Sequence, residues 1–278
     1  MKIMLDSANI KEIQQIKDLG MLGGLTTNPI IIKRGLNEMG YTGNFSELAK
    51  RILEVTEDKP VFFQVVAQKH RELVEQAEHI YKCLKPYGNP YIKIPINTSL
   101  VDGDGIYEGV KAIRELKSKC IPTLATAIVT PPQAFIASLA GADYAVLMLR
   151  PYDNIIANAL KIDLDEEGYL SNDSINKKMN TENLSLPQTF YLSGLDTLKR
   201  TSKIFHKNNL TTKLIIAGIR NPVQFSSVLE KGIDVVTLPY KVFIALFSNE
   251  GTRKFVNDTY KEVPESYKKF IRGSECGR

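Results

Sequence analysis

Five short apolar segments of the sequence each carry polar side chains at or near the carboxyl end. These side chains are Asp6 after KIML, Thr26, Thr27 and Asn28 after GGL, Gln64 in VFFQVV, Lys93 in YIKIPI and Thr126 in PTLATAIV. Lys93 is the most informative of them, because burying an unpaired ammonium group among isoleucines is costly. Either this lysine reaches solvent, or its burial serves a chemical purpose.

A buried lysine is suited to attack on a carbonyl group. The amine attacks only as the free base, and burial lowers its pKa from ~10.4 because it disfavours the charged form. A neutral lysine forms a carbinolamine and then an iminium ion with a keto sugar. The iminium ion accepts electrons from an adjacent C–C bond, which then breaks. Gln64 and Thr126 are candidates for holding a water molecule, and Asp6 is a candidate for accepting a hydroxyl proton. Asn28 and Thr26 are candidates for hydrogen bonds to the substrate hydroxyls.

Each of these residues also has a purely structural interpretation. Asp6 is a residue type that often starts a helix, and Thr-Thr-Asn-Pro is a common strand exit. Thr126 is an ordinary strand residue, and a lone strand lysine is more often solvated than buried. Convergence of the five strand ends on one small volume would favour the chemical interpretation.

The strands and helices that must position these residues can be predicted from apolar periodicity. Apolar runs alternate with amphipathic segments such as NIKEIQQIKDLG and FSELAKRILEVTE, which predicts a parallel sheet covered by helices. Eight strands are predicted, at residues 3–5, 24–27, 61–66, 91–96, 123–129, 144–149, 214–219 and 235–238. Eight strand–helix units predict an α/β fold, the (β/α)8 or TIM barrel, with its site at the carboxyl ends of the strands. Residues 1–278 are expected to form one barrel domain with a C-terminal helical tail.

One segment interrupts the strand–helix alternation. Residues 153–193 follow the sixth strand and are polar, with the run LDEEGYLSNDSINKKMNTENLSLPQ. A connection of this length in a compact domain is usually functional or disordered. Because it follows a strand, it is expected on the catalytic face, either as a lid or as a tolerated and partly disordered insertion.

The overall composition excludes several classes of partner. The chain has 278 residues, 43% of them hydrophobic and 24% charged, and its net charge of +5 is scattered along the sequence. This distribution disfavours nucleic-acid binding and is compatible with small phosphorylated molecules. The sequence has no apolar run of ~18 residues and no signal peptide, so we expect neither a membrane partner nor export.

The cysteines and histidines indicate a cytoplasmic protein without a metal. Cys83, Cys120 and Cys276 are widely spaced and odd in number, which predicts reduced thiols rather than a disulfide framework. The three histidines, His70, His79 and His206, have no metal-ligand spacing and are expected on helix surfaces. We expect neither a metal nor another cofactor.

Several segments together resemble the small transaldolases and the fructose-6-phosphate aldolases. They are LDSANIKEIQQIKDLGMLGGLTTNP, FFQVV, YIKIP, PTLATAI, QAFIASLAGADY and IRNP…VTLPYKV, and the resemblance excludes only 153–193 and the tail. It implies a (β/α)8 barrel, a Schiff-base lysine on the fourth strand, and a ring-shaped homo-oligomer, a pentamer or decamer. It makes Lys93 the nucleophile and Asp6 the acid/base, and it assigns substrate and water contacts to Asn28, Thr26 and Thr126.

Some positions separate the branches of this family, and others match neither. Gln64 and Leu124 resemble the aldolases, since transaldolases have glutamate and asparagine there. Met148 stands where both branches have an aromatic residue, with Val146 at the nearby small position. In the family's phosphate site, Arg150 and Arg220 would supply the charges and Gly218 stands at the serine position. A backbone N–H of that glycine would still be available to an anion. The alternative for Arg220 is a structural role before a helix.

Three functions follow from these observations. The first is a Schiff-base aldolase acting on a keto sugar phosphate with altered substrate specificity. The second is a true transaldolase of the pentose phosphate pathway, which passes the ketol unit to an acceptor. The third is a barrel that binds a sugar phosphate or a protein without turnover, although a decayed site would be expected to lose its costly buried lysine early.

Overall fold

The computed structural model describes residues 1–101, 105–182 and 193–273 and shows a closed barrel of eight parallel strands. The strands are β1 (Lys2–Asp6), β2 (Leu25–Thr26), β3 (Pro60–Gln64), β4 (Asn89–Pro95), β5 (Thr123–Ile128), β6 (Tyr144–Met148), β7 (Lys213–Ala217) and β8 (Val235–Pro239). Each strand pairs with its neighbours in sequence, and β1 pairs with β8 to close the barrel. The predicted (β/α)8 fold is therefore confirmed.

Helices connect the strands and cover the outside of the barrel. They are α1 (Ile10–Asp18), α2 (Pro29–Met39), α3 (Phe45–Thr56), α4 (His70–Leu84), α5 (Glu108–Ser118), α6 (Pro131–Leu139), α7 (Leu149–Ala159), α8 (Asn172–Glu182), α9 (Gly194–Lys207), α10 (Pro222–Leu229), α11 (Tyr240–Ala245), α12 (Glu250–Lys261) and α13 (Glu265–Ile271). A polar side chain accepts a backbone N–H at the start of many of them, as Asn28 does for α2 and Asn221 for α10. These caps fix where each helix leaves the strand before it.

The interior of the barrel is closed below the predicted site by aromatic side chains. Phe62, Tyr91 and Tyr144 pack with ring centroids 5.2–5.4 Å apart. Phe62 and Tyr91 each lie two residues before a predicted site residue, Gln64 and Lys93 respectively. Because strand side chains alternate between faces, the site residues lie on the same inner face, one layer above this aromatic cluster. The cluster fills the barrel interior below Lys93 and does not line the cavity described below.

Much of the long connection after β6 is ordered and packed. Helix α7 begins directly after β6 and continues past Asp153 to Ala159, and α8 follows after a turn. Apolar residues of the two helices and of the turn between them form a separate buried cluster, made of Tyr152, Ile156, Ala157, Leu160, Leu170 and Ile175. This cluster gives the strand-six insertion its own small core. Residues 183–192 lie outside the described part.

Asp153 joins this insertion to the next barrel helix. Its side chain is 1% exposed, and its two carboxylate oxygens accept the backbone N–H groups of Gly194 (2.8 Å) and Leu170 (3.3 Å). A Cβ on Gly194 would lie 2.9 Å from the Asp153 carboxylate, so only glycine allows this close approach. Burial raises the pKa of Asp153 to about 6, although the two N–H groups oppose the rise.

The raised pKa predicts an unusual pH dependence of stability. The folded state holds this proton more tightly than the unfolded chain, where the ordinary value is 3.8. A carboxyl shifted from 3.8 to about 6 destabilises the ionised protein by about 3 kcal/mol above pH 6, and this penalty disappears as the pH falls towards 3.8. We expect the unfolding free energy of wild type, relative to that of Asp153→Asn, to rise as the pH falls from 7 to 4. Urea unfolding across this range measures it, and a constant difference would contradict the raised pKa.

The cysteines, histidines and helices of the described residues can be compared with the sequence predictions. Cys83 and Cys120 are free, exposed thiols, while Cys276 lies outside the described residues. His79 and His206 are exposed on α4 and α9, whereas His70 is half-buried at the start of α4, where its Nε2 lies 2.7 Å from a Glu115 carboxylate oxygen. Among the helices of residues 1–101, 105–182 and 193–273, none is both long and apolar enough to cross a membrane.

Candidate active site

Lys93 is buried in the centre of β4. Its neighbours Ile92 and Ile94 pack outwards against the helices, so the lysine side chain faces the barrel interior and is only 5% exposed. Nζ donates a hydrogen bond to the backbone carbonyl of Thr27, 3.2 Å away. Burial lowers the pKa of the Lys93 amine below its ordinary value, and the charge of Asp6 partly opposes that shift. Lys93 therefore lies inside the barrel and not in solvent, and its surroundings favour the uncharged amine.

The carbonyl group that accepts from Lys93 is held rigidly. Thr27 follows β2, and both its amide N–H (3.2 Å) and its hydroxyl group (2.7 Å) donate to the carbonyl oxygen of Phe62. Sequence reasoning gave Thr27 no such role, because the group involved is a backbone carbonyl that every residue type carries.

Asp6 lies at the end of β1 in a chain of hydroxyl groups. The Thr26 hydroxyl donates to Asp6 Oδ1, and the Thr237 hydroxyl of β8 lies 2.9 Å from that of Thr26. Since Thr26 donates to the carboxylate, Thr237 is left to donate to Thr26. The Thr26 hydroxyl, supported by Thr237, therefore orients one carboxylate oxygen, and the other has no side-chain partner among the described residues. Thr237 was not predicted, although it interrupts the apolar run VVTLP just as the predicted residues interrupt theirs.

The side chain of Asn28 caps a helix with its oxygen and can donate to a ligand with its amide nitrogen. Its side-chain oxygen caps α2 by accepting the N–H of Ile31 at 2.8 Å. In the described ranges its amide nitrogen has no hydrogen-bond partner, and the residue lines the cavity above Lys93. The cap fixes the orientation of the amide, which can then donate to a substrate hydroxyl.

Gln64 and Thr126 flank Lys93 on the two neighbouring strands. Gln64 is paired in register with Lys93, and Thr126 is paired with Pro95. Both are on the inner face, two residues after Phe62 and Leu124 of the interior cluster. Neither lines the open cavity, and Thr126 is buried. The strand bulges just after Thr126, where Ala127 has φ of 59° and the register with β6 shifts. Such bulges often lie beside active sites.

A cavity of about 310 Å³ opens above Lys93. Asp6, Thr26 and Asn28 line one side, and the other side is lined by Met148, Arg150, Gly218 and Arg220, all predicted contacts. Three polar lining residues were not predicted, namely Arg34, Asn154 and Thr237. Arg34 comes from α2 and donates to the backbone carbonyl of Asp6 at 3.1 Å, so it braces the end of β1.

The two arginines on the far side differ in their surroundings. Both are half-buried, but the Arg150 guanidinium donates to the backbone carbonyls of Leu164, Asp165 and Gly168. Arg220 Nε is enclosed and has no hydrogen-bond partner among the described residues. Burial lowers the pKa of Arg220, and the nearby Arg150 lowers it further, while Glu166 and Asp6 oppose the shift. Both predicted cations line the cavity, and the enclosed Nε of Arg220 is a donor left for a ligand.

The arrangement as a whole suits chemistry on a carbonyl compound. A desolvated amine and an oriented carboxylate face one cavity, with free donors on both sides. In the described part of the chain, no group of three or more His, Cys, Asp or Glu side chains is placed to hold a metal ion. Met148 has no exchangeable proton, so it cannot take the place of an aromatic hydroxyl in proton transfer.

Comparison with known proteins identifies the family of this chain. Residues 3–273 match the family described as Transaldolase/Fructose-6-phosphate aldolase. The chain is 31% identical to a probable transaldolase of Thermoplasma volcanium over 98% of this chain and 100% of the relative. It is 30% identical to a probable transaldolase of Clostridioides difficile, covering 94% and 96%, and 29% identical to one of Geotalea uraniireducens, covering 95% and 100%. The chain therefore belongs to the transaldolase/fructose-6-phosphate aldolase family.

Proposed function

We propose that this protein cleaves or transfers the three-carbon ketol unit of a keto sugar through a Schiff base on Lys93, with substrate use altered from that of its relatives. The observation that carries the proposal is the buried amine of Lys93, whose pKa is lowered by burial and which shares a cavity with Asp6. A non-catalytic barrel would gain nothing from this costly burial.

The reaction begins at the ketone. Lys93 Nζ attacks the carbonyl carbon, and loss of water from the carbinolamine leaves an iminium ion. Asp6 takes the proton of the hydroxyl group beyond the bond to be broken. That C–C bond cleaves, an aldehyde leaves, and the bonding electrons move to the iminium nitrogen to give an enamine. Gln64 and Thr126, which flank Lys93, are placed to hold the water used in dehydration and hydrolysis.

The fate of the enamine separates the two family activities. In an aldolase it is protonated and hydrolysed to the free three-carbon ketone, whereas in a transaldolase it attacks an acceptor aldehyde. Gln64 and Leu124 favour the aldolase, and the names of the relatives, probable transaldolases, favour the transferase. Between the two activities we favour the aldolase. Participation in the pentose phosphate pathway and a cytoplasmic location stay predictions.

Reductive trapping tests the proposal. The protein is incubated with candidate ketoses and dihydroxyacetone, reduced with borohydride and analysed by peptide mass spectrometry. We expect an adduct on Lys93, and its absence with every ketone would exclude the Schiff-base function. Product analysis with and without an acceptor aldose then distinguishes the activities, since only an aldolase releases the free ketone without an acceptor.

We also infer that the protein forms a homo-oligomer through its C-terminal helices. Helices α12 and α13 have no buried residue, yet they expose large apolar side chains, with Phe255 72% and Tyr260 78% accessible. Side chains of this kind are typical of surfaces that pack against another subunit. The family resemblance makes a pentamer or decamer the expected assembly.

Substitution on α12 tests this assembly. We expect Phe255→Ser combined with Tyr260→Ser to lower the molar mass measured by light scattering, because the pair removes the largest apolar side chains of the helix. Lys254→Ser, on the same exposed helix, is the control and should keep the wild-type mass. An unchanged mass for the double variant would place the interface elsewhere or exclude the oligomer.

A further inference from the structure

Helix α10 begins with a capping arrangement that reaches back to Arg220. Asn221 is the N-cap residue, and its side-chain oxygen accepts the N–H of Gln224 at 2.8 Å. In return, the side-chain oxygen of Gln224 accepts the backbone N–H of Arg220, also at 2.8 Å. Such reciprocal bonds form the capping box of a helix, but here the second bond goes to the residue before the N-cap. The residue that Gln224 holds is therefore a cavity-lining arginine.

The side chain of Gln224 is enclosed by protein. It is 0% exposed and does not line the cavity above Lys93, so it does not touch a ligand there. Its amide is oriented by the N–H of Arg220, because only the amide oxygen can accept that donor. The amide nitrogen is enclosed and has no hydrogen-bond partner among the described residues. The bond to Arg220 is thus the one hydrogen bond that this side chain makes in the described ranges.

Two anchors fix the backbone that carries the Arg220 side chain. Ile219, the residue before it, is 0% exposed and packs in the outer hydrophobic core. Gln224 then holds the amide group between Ile219 and Arg220. Because the backbone is fixed on this side, the Arg220 side chain leaves it in a set direction. Its guanidinium group reaches the cavity with an enclosed Nε that lacks a partner in the described part of the chain.

A second glutamine forms the same cap but holds no cavity residue. Gln133 is the third residue of α6, and its side-chain oxygen accepts the N–H groups of Val129 (3.0 Å) and Thr130 (3.1 Å). Gln133 and Gln224 share one pattern, in which an N-cap residue is followed by proline, any residue and glutamine. Neither Val129 nor Thr130 lines the cavity. The cap after β5 therefore supports the fold alone, whereas the cap after β7 also supports a side chain that faces a ligand.

We infer that Gln224 is a positioning residue, which holds the backbone of Arg220 so that its guanidinium group can bind a phosphate group of the substrate. Arg150 lines the same end of the cavity, so two guanidinium groups are available to an oxyanion there. The inference rests on the proposed function in taking this cavity as the place where the substrate binds. It does not require a Schiff base on Lys93.

Substitution of Gln224 by methionine tests the inference. Methionine has a similar length and suits an enclosed position, but it cannot accept the Arg220 N–H. The substrates are glyceraldehyde 3-phosphate and glyceraldehyde, each with dihydroxyacetone as the donor. We expect Gln224→Met to lower kcat/KM about tenfold for the phosphorylated aldehyde and less than about twofold for the other, because a misplaced guanidinium group weakens only the phosphate contact.

Gln133→Met is the matched control, since it removes the same cap from α6. The ratio of the two kcat/KM values should stay at its wild-type value in this variant. A loss of stability that is common to both caps is thereby separated from an effect on Arg220. An unchanged ratio in Gln224→Met would overturn the inference.

Arg220→Met shows whether Gln224 acts through Arg220. This substitution should lower the ratio at least as much as Gln224→Met does. Adding Gln224→Met to it should lower the ratio no further, because no guanidinium group is left to position. A further fall in the double variant would show that Gln224 acts independently of Arg220, contrary to the inference.

Binding of glycerol 3-phosphate, measured by calorimetry, tests the inference without turnover. Its dissociation constant should rise about tenfold in Gln224→Met and stay unchanged in Gln133→Met. If the wild-type protein forms no Lys93 adduct and converts neither aldehyde, the proposed function fails, and this binding result still decides the inference. A Lys93 adduct together with an unchanged dissociation constant in Gln224→Met, or no binding to wild type, would overturn the inference and leave the proposed function in place.

Discussion

Lys93→Met is expected to lower kcat/KM for any ketose substrate by about 10⁴-fold or more, because no other amine among the described residues lines the cavity to form the covalent intermediate. Methionine is close to lysine in length and carries no charge, so the β4 strand and its outward isoleucines should remain in place. Borohydride trapping of the variant should give no adduct on the fourth strand.

The same substitution should increase stability at neutral pH. The pKa of Lys93 is lowered in the folded state by burial, so the unfolded chain binds this proton more tightly. The resulting penalty is fully present below the folded pKa and vanishes above the ordinary value of 10.5. We therefore expect Lys93→Met to exceed wild type in unfolding free energy at pH 7, with the difference shrinking towards pH 10.5. Activity lost together with stability would instead indicate a structural role for the lysine.

Lys213→Met provides the matched control. Lys213 starts β7 at the opposite end of the barrel, where its Nζ lies 5.5 Å from the centre of the Tyr144 ring. It is an exposed lysine on a strand. Without the other polar strand ends, the sequence would have suggested the same exposed position for Lys93. Its replacement should leave both turnover and the Lys93 adduct intact. Loss of activity in this control would show that the effect at Lys93 is not specific to the site.

The barrel was predictable from the sequence because its strands are short apolar runs at regular intervals. The two helices nearest the cavity, α2 and α7, were harder to predict, since each starts within three residues of a strand end and has a proline in its first turn. Pro29 and Pro151 are compatible with a helix start but read as strand exits in the sequence. The early start of α7 also explains why glycine stands at position 218.

The side chains of the site were more predictable than their partners. Polar interruptions of apolar strands predicted Asp6 and Lys93, which line the cavity, and Thr126, which does not line it. Applied to β8, the same criterion points to Thr237, which does line it. Sequence patterns could not identify the carbonyl of Thr27, which accepts from Lys93, because backbone acceptors leave no trace in residue type. They also could not show that Arg150 binds carbonyls up to 18 residues further along the chain. That contact depends on the folded insertion.

Asp6→Asn is expected to lower kcat by about 10²- to 10⁴-fold, the usual contribution of a general base. Asparagine keeps an oxygen that can accept from the Thr26 hydroxyl, so the chain from Thr237 through Thr26 is retained. The amide cannot accept the hydroxyl proton when the C–C bond opens. Iminium formation on Lys93 precedes this step, and the variant should therefore still be trapped by borohydride with its ketose.

This combination of lost turnover and retained adduct distinguishes proton transfer from structural support. If Asp6 had only a structural role, its substitution would lower both turnover and the yield of the Lys93 adduct, because disturbing the end of β1 would also disturb the Lys93 pocket. Asp58→Asn makes the same chemical change at an exposed carboxylate beside Lys59, before β3 and at the other end of the barrel. It should keep wild-type turnover. Turnover of Asp6→Asn within about tenfold of wild type would assign the proton to another group, since a general base contributes more than that.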